Sequence, residues 1–210
     1  MPNTIFLQRV ADLYDTFKQH DSQQSDRLQR YRNIEVESAQ LISQLIRMQQ
    51  AKSILEIGTS TGYSTLWLAE AAQATGGQVI TVEIDAKRSA EAKRHVAELE
   101  LSEIVQFWVG DAADYLKAAQ EKFDFILLDA ERDAYENYWP DLKRLMKPKG
   151  GVLVVDNVIS HAAEVNRFIA LIKKDPDYMR YRLGSQSGFE IIRPINNLFD
   201  RQSDVLKRHN

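Results

Sequence analysis

At 210 residues the chain fits one domain, and its 44% hydrophobic content is enough for a sizeable core. A net charge of −3, with Lys and Arg scattered along the sequence, gives no support to a general nucleic-acid or membrane-surface role. The absence of cysteine excludes disulfides, thiolate zinc sites, cysteine-ligated iron–sulfur clusters and cysteine nucleophiles, and no run approaches the roughly 18 apolar residues of a membrane span.

Met1–Leu7 shows no basic stretch followed by an apolar one, so a secretory signal is not expected and the expected location is cytoplasmic. Residues 1–50 read as a helical N-terminal cap. Val10, Leu13, Tyr14 and Phe17 fall at helical spacing, as do Leu41, Ile42, Leu45 and Ile46. Between them Gln19–Asn33 is polar, either an exposed helix or a connection. From Ser53 the texture changes to short apolar runs alternating with longer helical patterns. Strands are expected at Ser53–Ile57, Gln78–Ile84, Ile104–Val109, Phe123–Leu128 and Gly151–Val155, and helices at Tyr63–Ala74, Lys87–Glu98, Ala112–Ala119, Tyr135–Met146 and Ala162–Lys173. Pro140 is expected to break the fourth helix or to mark its proper start. Several strand runs are continuously apolar, as a sheet covered on both faces requires. The alternation implies right-handed crossovers and a parallel sheet. Tyr178–Leu183 and Phe189–Arg193 flank Gly184–Gly188 with no room for a helix, so the sheet should end in an antiparallel hairpin. The core is bounded at 51–195, and a polar tail from Asn196 is expected on the surface. The fold class is therefore α/β: a Rossmann-like, mostly parallel seven-stranded sheet with a helical cap.

In such sheets ligands bind beyond the carboxyl ends of the strands. The first expected strand ends in Glu56-Ile57-Gly58-Thr59-Ser60-Thr61-Gly62-Tyr63-Ser64, where Gly58 and Gly62 permit a tight turn and the following helix offers free N–H groups. Glu83 ends the second strand, placed to accept from both hydroxyls of a ribose. Gly110-Asp111-Ala112 follows the third, where an adenine edge can be read. A nicotinamide site would need G-x-G-x-x-G, but Ser60 and Tyr63 occupy its second and third glycine places. Asp129-Ala130-Glu131-Arg132-Asp133-Ala134-Tyr135 follows the fourth strand and Asp156-Asn157 the fifth. Two carboxylates and an amide oxygen suit Mg²⁺. Taken singly, each Asp reads as a helix cap.

At these residues the chain resembles the class I S-adenosylmethionine-dependent methyltransferases, over the whole core from Ile54 to Ile192. The resemblance implies that Glu56, Gly58, Tyr63 and Ser64, with Gly62 in the turn, surround the methionine part of the donor. It places Glu83 on the ribose and Ile84, Asp111 and Ala112 beside the adenine, with Ile34 added from the cap and Asp129 serving both donor and metal. The Asp129, Asp133 and Tyr135 spacing, with Asp156 and Asn157, is similar to the cation-dependent catechol and caffeoyl-CoA O-methyltransferases and their small bacterial homologues. In these a metal such as Mg²⁺ binds two adjacent hydroxyl oxygens of a small acceptor. Glu190 resembles the acidic residue beside the acceptor hydroxyl. One place departs: where the catechol enzyme has a proton-accepting lysine, this chain has Arg132. Arginine stays protonated, so Arg132 is expected to stabilise an oxyanion or to grip an acidic substrate, unless it is a surface residue. Proton removal then falls to metal-bound hydroxide, Glu190 or water.

Two other functions stay open. Some bacterial relatives methylate a hydroxylated wobble uridine in tRNA; the lack of net positive charge counts against this. A protein that binds the donor without turnover is the other, and intact Asp129, Asp156 and Asn157 argue against it. A homodimer is possible by family habit alone. His95 is expected to be solvated, His161 to start a helix although it is near enough to the fifth strand to reach the metal site, and Trp67, Trp108 and Trp139 to sit in the core or an interface, with Trp139 able to wall the acceptor pocket. Lys173, Lys174, Arg180 and Arg182 make a modest basic cluster.

Overall fold

The computed structural model describes residues 2–184 and 188–195, leaving aside the side chain of Leu28. The tip of the last hairpin, 185–187, and the tail from Asn196 lie outside the described residues. In chain order the elements are α1 (Thr4–Gln23), α2 (Val36–Gln49), β1 (Ser53–Ile57), α3 (Tyr63–Thr75), β2 (Gln78–Glu83), α4 (Ala86–Glu98), β3 (Val105–Val109), α5 (Ala112–Ala118), β4 (Phe125–Leu128), α6 (Tyr135–Leu145), β5 (Val152–Val155), α7 (Ala162–Lys173), β6 (Tyr178–Leu183) and β7 (Phe189–Pro194). Among the described residues no helix is long and apolar enough to cross a membrane.

The seven strands form one sheet in the order β3-β2-β1-β4-β5-β7-β6. β3 to β5 run parallel, while β7 pairs antiparallel with both β5 and β6. The hairpin expected at the end is present, and its second strand, β7, inserts between β5 and β6. Strand pleating sorts the apolar runs between two cores. Ile54, Phe125, Leu127 and Val154 face one core, with α1, α2 and α3. Leu55, Ile57, Ile126, Leu128, Leu153 and Val155 face the other, with α5, α6 and α7. This double burial explains why the runs are continuous rather than alternating.

The polar stretch after α1 is a helix end followed by a connection: α1 runs to Gln23, a single 3₁₀ turn spans Arg27–Gln29, and an extended segment leads to α2. Two expectations need correction. α6 runs unbroken through Pro140. The proline sacrifices one backbone hydrogen bond, a cost of roughly 3 kcal/mol, but Tyr138, Trp139, Leu142 and Leu145 are buried on the same helix and offset it. His95 is also buried, only 3% exposed, because it shares the inward face of α4 with Ala92 and Val96. Its Nδ1 lies 3.0 Å from the Thr61 carbonyl, and Phe17 packs against its ring. Trp139 belongs to the core, against Phe168 and Tyr178.

Candidate functional site

The strand order reverses between β1 and β4, the kind of switch point at which open α/β sheets take ligands. A cavity of about 370 Å³ opens there. Gly58 makes the turn possible: at φ +103°, a Cβ built on it would lie 2.0 Å from the Asp129 carbonyl oxygen. Glu83 fastens the turn to the end of β2, accepting from the backbone N–H of Ser60 at 2.7 Å and of Asp85 at 3.0 Å. Asp111 caps α5, accepting from the Ala113 N–H at 2.8 Å, and lines the cavity as well. Ile34, Ser64, Ile84, Ala112, Asp129 and Arg132 also line it, with Ile84 72% exposed at the rim.

Three of the expected donor residues stand behind this wall. Glu56 is wholly buried and accepts from Ser64, from Thr65 at 2.5 Å and from Thr81 at 2.6 Å. Burial pushes its carboxyl up to about 7, against the lowering effect of those three hydrogen bonds. Gly62, at φ +88°, lets α3 approach α4; a Cβ there would lie 2.8 Å from the Ala92 Cβ. Tyr63 packs in the core against Tyr14. Each shapes the wall by packing or hydrogen bonding.

The connection before α2 supplies lining residues that sequence reasoning missed. Tyr31, Arg32 and Asn33 join Ile34 over the cavity. Asp21 accepts from the N–H groups of Tyr31 at 2.7 Å and Arg32 at 2.9 Å, and the Ser60 hydroxyl donates to the Tyr31 carbonyl at 2.8 Å. Such a segment has no periodicity to betray it. Arg88 and Tyr138 line the cavity too, with no motif to mark them.

Asp129, Asp156 and Asn157 come together at the adjacent ends of β4 and β5. The Asn157 side-chain amide donates to Asp156 at 2.9 Å and reaches Asp129 at 3.3 Å. Among the described residues no group of three or more His, Asp or Glu side chains gathers in metal-binding fashion; the set is two carboxylates and an amide. It nevertheless suits a hard divalent cation. The amide N–H occupies the place between the half-buried Asp129 carboxylate and the buried Asp156 carboxylate, where a positive charge is wanted. Rotating the amide by half a turn would present its oxygen there instead. Burial raises the Asp129 carboxyl to about 6, with the charges of Arg132 and Arg32 opposing it. The Tyr135 hydroxyl donates to the Ala130 carbonyl and accepts from its N–H, both at 2.9 Å, which fixes the loop after β4 and explains the Asp–Tyr spacing.

A second cavity of about 360 Å³ adjoins the first. Arg32, Asn33 and Arg132 line both and form the partition, while Tyr14, Phe17, Asn157 and His161 line the second alone. Arg132 is 7% exposed and pairs with Glu164 of α7 at 3.1 Å, so it is no solvated surface residue. Glu190 lines neither cavity: it is buried on β7, paired with Arg180 and Arg182 of β6. His161 stands just before α7 without making a side-chain cap hydrogen bond.

Residues 11–173 match the model of the O-methyltransferase family. The chain belongs to that family. Its relatives include a catechol O-methyltransferase from Niastella koreensis, 41% identical over 57% of this chain and 54% of the relative. Caffeoyl-CoA O-methyltransferase 2 from Petunia hybrida is 30% identical over 69% of this chain and 60% of the relative. The chain thus spans little more than half the length of these curated proteins. Among solved structures, the O-methyltransferase from Bacillus cereus in complex with SAH superposes with a TM-score of 0.75 at 26% identity, over 93% of each chain. An O-methyltransferase of tomaymycin synthesis from Streptomyces achromogenes, in complex with SAM, gives 0.76 at 25% identity over 93% of this chain and 92% of that one. In this member of the family the two cavities share Arg32, Asn33 and Arg132, with Asp129 lining the first and Asn157 the second.

Proposed function

We propose that this protein transfers the methyl group of S-adenosylmethionine to a hydroxyl of a small acceptor with adjacent oxygens, using a divalent cation held by Asp129, Asp156 and Asn157. One observation carries the reading: Asp129 belongs both to the wall of the switch-point cavity and to the oxygen cluster beside the second cavity. A donor in the first cavity and an acceptor in the second would meet at that residue. The similar structures with bound SAM or SAH support the donor, and the catechol and caffeoyl-CoA names of the relatives support the acceptor class.

Glu83 would hold the ribose, since each of its oxygens accepts one backbone hydrogen bond and keeps a lone pair for a hydroxyl. Asp111, Ala112 and Ile84 would border the adenine, and Gly58 and Ser64 the methionine part. A bound divalent cation would act as Lewis acid and template, lowering the pKa of a coordinated hydroxyl. In the transfer the sulfonium S–CH₃ bond breaks as the O–CH₃ bond forms, the donor leaves as a neutral thioether, and the hydroxyl proton passes to water. Arg132 cannot take that proton; its buried charge would stabilise the acceptor oxyanion. Alignment of the two substrates supplies much of the rate, up to about 7–11 kcal/mol in favourable cases.

Donor turnover with catechols, hydroxycinnamoyl esters and undermodified tRNA, each with and without Mg²⁺, tests the proposal. Methylation of a vicinal diol only when Mg²⁺ is present is the expected result. Methylation of tRNA alone would overturn the small-molecule reading, and donor binding with no turnover would favour a binding protein.

A further inference from the structure

We infer that the acceptor carries a carboxylate, held by an arginine network that borders the second cavity and is one negative charge short. This deepens the proposed function and rests on it, because there Asp129 and Asp156 spend their charge on the cation.

The network is a chain of five charges. Arg32 pairs with Glu131, Glu131 with Arg27, Arg27 with Glu164, and Glu164 with Arg132, at distances from 2.5 to 3.7 Å. Three guanidinium groups therefore share two carboxylates. The other acids lining this cavity are occupied elsewhere: both oxygens of Asp21 accept from backbone N–H groups, and Glu35 pairs with Tyr14 and Lys18. Hydrogen bonding is incomplete in the same place. The Nε atoms of Arg32 and Arg132 are both buried without a partner. A buried guanidinium N–H left unpaired is costly, and Arg132 as a whole is 7% exposed at the partition.

A monoanion would repair both deficits. It neutralises the surplus charge, and a rotation of Arg32 and Arg132 that turns their buried Nε–H groups toward the cavity would let its two oxygens accept from them. The remaining wall fits the rest of such a molecule. Tyr14 and Phe17 give it aromatic lining, and Asn157 brings the metal cluster to the same cavity. The substrate class is therefore a small aromatic acid with adjacent hydroxyls. The positive charge is local to this cavity, whereas the chain as a whole is acidic at −3, which favours a small anion over a polyanion.

The test compares 3,4-dihydroxybenzoate with its neutral amide, 3,4-dihydroxybenzamide. Binding is measured by calorimetry on the whole protein saturated with SAH and Mg²⁺, and kcat/KM is measured with SAM and Mg²⁺. The acid should be preferred roughly tenfold or more in both, the scale of a hydrogen bond to a charged group. Arg27→Gln removes the surplus charge without touching either unpartnered Nε, so it should bring the preference toward one. Glu164→Gln enlarges the surplus and should raise the preference, a change that a merely structural role would not produce. Equal use of acid and amide, with both methylated, would overturn this inference and leave the proposed function intact. Failure to methylate any vicinal diol would overturn the proposed function, and the binding ratio would still decide whether the network selects an acid.

Discussion

Glu56 should make stability depend on pH in a way that one substitution removes. Its carboxyl is wholly buried between β1, β2 and α3, and burial raises it from 4.5 to about 7. The unfolded chain loses this proton near 4.5, whereas the folded protein keeps it to about 7. Between those values the folded state binds more protons, so stability falls as pH rises through the window. Below about 4.5 both states are protonated and the full contribution is present; above about 7 both are ionised and it is lost. At roughly 1.4 kcal/mol per pH unit, the gap is worth about 3 kcal/mol. Asp129, also raised by burial, titrates in the same window, so the wild-type curve alone is ambiguous. Glu56→Gln isolates the effect, because glutamine stays neutral and Asp129 is common to both proteins. Its amide can accept from two of the hydroxyls of Ser64, Thr65 and Thr81 while the third rotates to accept. Urea denaturation of both proteins without donor, from pH 5 to pH 8.5, should show similar stabilities at the acid end. By pH 8 the variant should be the more stable by up to about 3 kcal/mol. Parallel stability curves across the range would refute the assignment of a neutral, buried Glu56.

Three further outcomes are expected. Glu83→Ala should weaken SAM binding by about 1.5–3 kcal/mol, read by calorimetry, with no gain of NAD binding; unchanged affinity would remove Glu83 from the donor site. Gly58→Ala places a methyl group on the Asp129 backbone at a positive φ, so donor binding should be lost and the melting temperature should drop, whereas a variant with wild-type affinity would show that the β1 and β4 loops are free to part. Arg132→Ala should lower kcat with little change in SAM affinity, and Arg132→Lys should retain part of the activity and gain a pH dependence from a desolvated ammonium; wild-type kcat and KM in the alanine variant would end any catalytic part for Arg132.

Much of the frame was legible because burial on both faces forces continuous apolar runs, as in Phe125–Leu128 and Val152–Val155. The strand-end acids were legible for the same reason: Glu83, Asp111, Asp129 and Asp156 each stand where a run stops. Position across the sheet was not. Nothing local in Phe189–Pro194 tells that it inserts beside β5, since pairing partners are chosen by tertiary packing. Glu190 looked free to meet an acceptor, and Arg180 and Arg182, eight to ten residues earlier, claim it only once the hairpin closes. The burial of Arg132 depends on Glu164 of α7, and the partition at Arg32 and Asn33 depends on Asp21 and Ser60. Such long-range hydrogen bonds leave no period in the sequence. His95 was misjudged because its basic neighbours Lys93 and Arg94 obscured the inward face of α4.

Methyl transfer from labelled SAM to 3,4-dihydroxybenzoate, with Mg²⁺, with excess EDTA, and with EDTA followed by restored Mg²⁺, tests the central claim most directly. Turnover should be present, vanish and return, while calorimetric SAM binding survives chelation, and Asp156→Ala should behave as if permanently chelated. Full turnover in excess EDTA, or in Asp156→Ala, would contradict the claim that Asp129, Asp156 and Asn157 hold a cation required for the transfer.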